Sequence, residues 1–225
     1  MMDLQFKYVV DVVLVIDATN SMSGVIDMVK ASALRFHSKL TLLLGQQGKT
    51  VSEMRVRCVA YRDIPDNGER GLEASSFFTM PRDEQQFRAW ISGIELIGNT
   101  TFPESGLTAL SLAVHSDWSM SGNKRRHVVV LWADNDPHPI ESEWHLVPPQ
   151  SARVIDPSYD ALTDSWHAGR EPLDGRRLIL FAPGGGRWDS IASHWDNVVH
   201  YPSVAGTGLS GTTEEELFSV IVNSI

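Results

Sequence analysis

Three apolar runs in this chain stop at an aspartate. Residues 9–16, VVDVVLVI, lead into Asp17; residues 54–61, MRVRCVAY, lead through Arg62 into Asp63; residues 127–133, HVVVLWA, lead into Asp134. Carboxylates gathered in one place repel unless a proton or a cation stands between them, and a divalent cation is the natural neutraliser. Hydroxyls accompany the carboxylates. Thr19 and Ser21 follow Asp17 at alternate positions that point the same way, and Thr100 and Thr101 sit in GNTTFPES, residues 98–105. Carboxylate, hydroxyl and water oxygens are hard ligands, suited to Mg²⁺ or Mn²⁺ rather than zinc. Taken singly, an Asp or Ser at a strand–helix junction is a helix cap; the combination points to an ion.

The elements that would position these groups alternate. Runs 9–16, 54–61, 127–133 and 177–182 are rich in β-branched and aliphatic residues, as buried strands of a parallel sheet are. Residues 197–201 add a weaker candidate and 75–79 an edge strand. Between them lie helical patterns: Val25, Met28, Val29, Ala33, Phe36 and Leu40 recur at three- and four-residue spacing, ending near Gly45. Further helices are expected over 83–97, 103–116 (Pro103 in the first turn), 158–168 and 213–225. The expectation is an α/β fold, a doubly wound, mostly parallel central sheet flanked by helices. In such sheets ligands bind beyond the carboxyl ends of the strands, where strand order reverses, and all three aspartates fall at that edge.

One domain over 1–225 is expected, with a long irregular excursion at about 135–176 that carries six prolines. Excursions of that length inside compact domains tend to be functional. The net charge is −9, from 28 acidic and 19 basic residues. That disfavours binding to nucleic-acid backbones or anionic membranes. Cys58 is the sole cysteine, so no intrachain disulfide forms. No apolar run nears the roughly 18 residues that suggest a membrane span, and the N-terminus lacks a secretory pattern. A cytoplasmic, monomeric protein is the expectation.

The segment DVVLVIDATNSMSGVIDMVK resembles the opening of von Willebrand factor type A domains, in the form found in bacterial intracellular members. Their metal-ion-dependent adhesion site begins Asp-x-Ser-x-Ser, here Asp17-Ala-Thr19-Asn-Ser21. GNTTFPESGLTAL is similar to the family's loop before the central helix, and VVVLWADNDPHP to the strand that ends in the last aspartate. The resemblance implies a Rossmann-like fold and metal-site residues Asp17, Thr19, Ser21, Thr101 and Asp134. Thr100 competes with Thr101, and Asp136 with Asp134. Asp63, in a YRD that recurs in bacterial members, and Ser23 are candidates for support, and His138 for partner contact or loop structure. It implies a divalent cation, Mg²⁺ before Mn²⁺ or Ca²⁺, whose coordination is completed by a Glu or Asp of a partner protein. The setting implied is a kinase/phosphatase, ATPase, or stress and defence system. On this reading the protein binds and is not an enzyme.

Two other readings stay open. A Mg²⁺- or Mn²⁺-dependent phosphohydrolase is one. Against it, the second position after Asp17 is Thr19 where a haloacid-dehalogenase-type phosphatase has an acid, and PGGGR at 183–187 lacks the lysine and spacing of a phosphate-binding loop. A metal-free scaffold that binds through 135–176 is the other, with Trp144 and Trp166 as candidate anchors.

Overall fold

The computed structural model describes residues 7–24, 26–98, 103–147, 149, 151–168, 175–203 and 219. Thr100, Thr101 and the helix expected over 213–225, apart from Ser219, lie outside them. In chain order the strands are β1 (Lys7–Asp17), β2 (Thr50–Tyr61), β3 (Leu72–Ala74), β4 (Phe78–Met80), β5 (Lys124–Trp132), β6 (Arg176–Pro183) and β7 (Val198–Ser203). The helices are α1 (Ile26–Gln46), α2 (Ile64–Asn67), α3 (Glu84–Ser92), α4 (Gly106–Val114), α5 (Ile140–Glu143), α6 (Tyr159–Ala168) and α7 (Arg187–His194).

β1 is the central strand because both of its faces are apolar. Val10, Val12, Leu14 and Ile16 enter one core layer, and Val13 and Val15 the other. Such a strand needs cover on both sides, which parallel crossovers supply. The sheet order is β3-β2-β1-β5-β6-β7, with β4 also beside β2. β1 pairs in parallel with β2 and β5, β5 with β6, and β6 with β7. Only the short β3 and β4 run antiparallel, both on β2. One layer takes Ile26, Val29, Ala33 and Leu40 of α1 with Phe87 and Ile91 of α3. The other takes α4, Leu162 of α6 and Trp188 of α7. This is the doubly wound, mostly parallel α/β sheet expected from the alternation of runs.

Boundaries differ where side chains have other work. The helix expected over 83–97 ends at Ser92, with Gly93 following. The helix expected over 103–116 begins at Gly106, and Pro103 lies outside it. Gly106 is the point where α4 passes α7: a Cβ there would sit 2.9 Å from the Trp188 ring. Within the excursion at 135–176, the helix expected over 158–168 is α6, and α5 is a further short helix that the sequence did not signal. Trp166 is not a surface anchor; it is buried and stacked on Trp195 with ring centroids 5.5 Å apart. Trp144 is 41% exposed. Among the described residues, no helix is long and apolar enough to cross a membrane.

Candidate metal centre

Parallel register brings the strand ends together. Asp17 pairs with Tyr61 across β1–β2, and Ile16 with Trp132 across β1–β5. The chain leaves β2 and β5 at the level of Asp17, beside the strand from which order proceeds in both directions. That is the switch point at which α/β sheets bind ligands.

The turn after β1 is shaped by Asp17 itself. Its Oδ1 accepts hydrogen bonds from the Thr19 amide at 2.9 Å and the Thr19 hydroxyl at 2.7 Å. Short polar side chains commonly fix a turn this way. The Thr19 and Ser21 hydroxyls lie 2.8 Å apart. A parallel bridge from Thr19 to Ile97 draws the start of the 98–105 segment alongside. Ser23 is an exposed residue of the 3₁₀ turn Asn20–Gly24.

Three carboxylates meet here. Oxygens of Asp17, Glu104 and Asp134 lie within 4.8 Å of one another, and all three residues are buried. Glu104 arrives because the chain before α4 pairs with the segment after β5: it bridges to Pro137, and its carbonyl accepts the His138 amide at 2.8 Å. Asn135 Nδ2 donates to Asp134 Oδ1 at 3.2 Å and to Glu104 Oε1 at 3.4 Å. Asp134 Oδ2 is buried and has no hydrogen-bond partner. Burial, then the nearby charge of Asp134, raises the Asp17 pKa to about 7. Burial raises Asp134 as well, against the lowering effect of Ser21 and Asn135. The Tyr61 hydroxyl donates to the Trp132 carbonyl at 3.2 Å and approaches Asp17 Oδ2 at 3.5 Å. Burial and these same acids hold its pKa well above the usual phenol value.

A buried carboxylate oxygen with no donor is costly unless a proton or a cation satisfies it. The surrounding donors are all oxygen: Asp17, Thr19, Ser21, Glu104 and Asp134. They fit a hard divalent cation, Mg²⁺ foremost, which takes few carboxylates and keeps waters.

The remaining candidates are elsewhere. Asp63 is fully buried and is grouped with His138 and Glu143 rather than with Asp17, Glu104 and Asp134. Asp136 is exposed and accepts the Arg187 amide at 2.7 Å, so it serves the start of α7. Gly186 permits that approach, since a Cβ there would lie 2.3 Å from Asp136 Oδ1. Arg62, between Tyr61 and Asp63, is wholly buried. It donates to the Arg70 carbonyl (2.6 Å), Glu73 Oε2 (2.6 Å) and twice to the Glu95 carbonyl (3.2 and 2.5 Å). The YRD stretch thus touches the β1 and β5 ends through Tyr61 and the run into the 98–105 segment through Arg62.

Glu104 and Asn135 were not singled out from the sequence. Glu104 is the one acid of GNTTFPES, beside the two hydroxyls of Thr100 and Thr101.

No protein-family model matches the sequence, and no curated protein does. Solved structures do resemble it. The vWF domain of the type V pili tip protein Mfa5 from Porphyromonas gingivalis aligns at 14% identity and TM-score 0.54, over 96% of this chain and 94% of that one. The pilus adhesin SpaC from Lactobacillus rhamnosus GG aligns at 12% identity and TM-score 0.53, over 95% of this chain. This chain spans 30% of SpaC. Identities this low speak to the fold alone, and the fold is that of a von Willebrand factor type A-like domain.

Proposed function

We propose that this protein is a divalent-cation-dependent protein-binding module. The observation that carries the reading is the buried Asp134 Oδ2, partnerless, beside Asp17 and Glu104 and close to two hydroxyls. A bound Mg²⁺ would supply a Lewis-acidic centre with an open coordination position for an anionic group. Thr19 and Ser21 offer hydroxyl oxygens to it. Asp17 holds Thr19 in place through two hydrogen bonds, and Asn135 orients Asp134. A Glu or Asp side chain of a partner protein is the proposed final ligand. Glu104 adds a third negative charge at the site, which tempers that attraction and favours partners with basic residues around the acidic one.

Binding rather than turnover is proposed, with kinase/phosphatase, ATPase, or stress and defence systems as the setting and the cytoplasm as the location. The test pairs two assays on the full chain. Partner capture should depend on Mg²⁺ and be lost with Asp17→Ala/Ser21→Ala, and phosphoester turnover with Mg²⁺ or Mn²⁺ should stay at the background rate. Turnover that vanishes in the same variant would make the protein a phosphohydrolase instead.

A second reading has its own observation. Trp144, Leu146 and Val154 of the excursion are 41%, 45% and 41% exposed, three of the five exposed large apolar side chains among the described residues. They suit a metal-free docking face. Capture that survives Asp17→Ala/Ser21→Ala but not Trp144→Ala/Leu146→Ala would favour it.

A further inference from the structure

A second group of metal-ligating side chains adjoins the first and differs from it in chemistry. Asp63, His138 and Glu143 each offer one atom, and the three atoms lie within 4.8 Å of one another. They come from separate stretches: Asp63 follows β2, His138 follows β5, and Glu143 ends α5. Asp63 and Glu143 are buried, and the His138 side chain is 19% exposed.

The imidazole is the second observation. His138 Nε2 is shut off from solvent and stands 3.2 Å from Asp63 Oδ1, off the line a hydrogen bond requires. It faces the two buried carboxylates, with Asp63 at ion-pair distance. A nitrogen so placed carries either a proton or a metal between itself and the oxygens.

Glu143 is held for ligation rather than left loose. The Ser105 hydroxyl donates to Oε2 at 2.6 Å and the Thr108 hydroxyl donates to Oε1. Ser105 is itself fixed by accepting the Ile64 amide at 2.8 Å. Each carboxylate oxygen keeps a lone pair after such a bond. Hydrogen bonds of this kind orient ligating carboxylates in metal sites. Ligands 2.0–2.2 Å from a tetrahedral centre sit about 3.4 Å apart. Closing the trio to that spacing takes movements on the order of an ångström, which the partly exposed His138 permits.

We propose that Asp63, His138 and Glu143 form a second metal site, selective for a first-row transition ion, zinc foremost. One imidazole nitrogen and two carboxylates are zinc's ligand types, whereas the all-oxygen centre beside it suits Mg²⁺. The two are linked through the backbone, since Glu104 faces one and Ser105 the other. The zinc-type site would lock the YRD stretch, the start of α4 and the segment after β5 into one unit. It does not depend on what binds at the Mg²⁺ centre.

The test uses full-length, metal-stripped protein. Zn²⁺ affinity is read by competition with a chromophoric chelator, and Co²⁺ substitution by visible absorption. One Zn²⁺ per chain is expected, with Co²⁺ bands of four- or five-coordinate intensity. His138→Gln should weaken Zn²⁺ roughly 100-fold or more and leave Mg²⁺ titration unchanged. Asp17→Ala/Ser21→Ala should do the reverse. Because His138→Gln could perturb the fold, X-ray absorption on Zn²⁺-loaded wild type provides a second readout, an imidazole in the coordination shell. Zn²⁺ affinity unchanged by His138→Gln, zinc lost only with Asp17→Ala/Ser21→Ala, a shell without imidazole, or no tight Zn²⁺ binding would each overturn the proposal.

Discussion

Asp17 is a carboxyl whose pKa of about 7 comes first from burial and then from Asp134. In the unfolded chain it would titrate near 3.8, as an ordinary aspartate does. The native state therefore binds the extra proton between about 4 and about 7. Asp17's contribution to stability without metal is full at low pH and falls as pH rises through that window, then levels off. A cation at the site replaces the proton. Mg²⁺ should thus raise the melting temperature more at pH 8 than at pH 5.5, measured by calorimetry. Asp17→Asn sharpens the point. An amide oxygen can still accept from Thr19, and the charge that repels Asp134 is gone. The variant should melt several degrees above metal-free wild type at pH 8 and gain nothing from Mg²⁺. Asp136 makes the opposite case. Asp136→Ala should cost about 1 kcal/mol, the usual worth of a helix cap, with Mg²⁺ affinity unchanged. Urea denaturation beside the titration checks both.

The elements explain which of these residues the sequence displayed. Asp17 and Asp134 were legible because continuous apolar runs such as VVLVI and VVVLW announce buried parallel strands, and a polar residue at such a run's end falls at the sheet's edge. The tie between Asp17 and Tyr61 was not legible, since it depends on β1–β2 register. α7 was missed because RWDSIASH buries only Trp188 and Ile191, too few positions to declare a helical period. β3 is a three-residue strand with mostly unburied residues, below what alternation can reveal, whereas the edge strand expected over 75–79 overlaps β4, Phe78–Met80. The start of α4 was placed too early because Pro103 suits a first turn, whereas Glu104 and Ser105 are turned to the two carboxylate groups. Arg62 carries a prediction at this scale. Its guanidinium is buried and bonds three separate backbone or side-chain partners, so Arg62→Met should cost roughly 2–4 kcal/mol. It should also weaken Mg²⁺ binding, because the segment leading to residue 98 loses its anchor at Glu95. Chemical denaturation and calorimetry would read the two effects separately.

For the whole molecule, the fold places everything of interest on one edge. The carboxylate centre, the Asp63–His138–Glu143 group and the exposed Trp144 and Leu146 all follow strand ends or the segment after β5. Trp144→Ala/Leu146→Ala should leave stability within about 0.5 kcal/mol, as surface changes usually do, and leave Mg²⁺ affinity unchanged. It should weaken partner capture, by faster release. The most direct single measurement is a calorimetric titration of Mg²⁺ into metal-stripped protein at pH 8, beside Asp17→Ala/Ser21→Ala. One saturable Mg²⁺ per chain, absent in the variant, is the expected result. No heat up to millimolar Mg²⁺, or equal binding by the variant, would contradict a cation seat at Asp17.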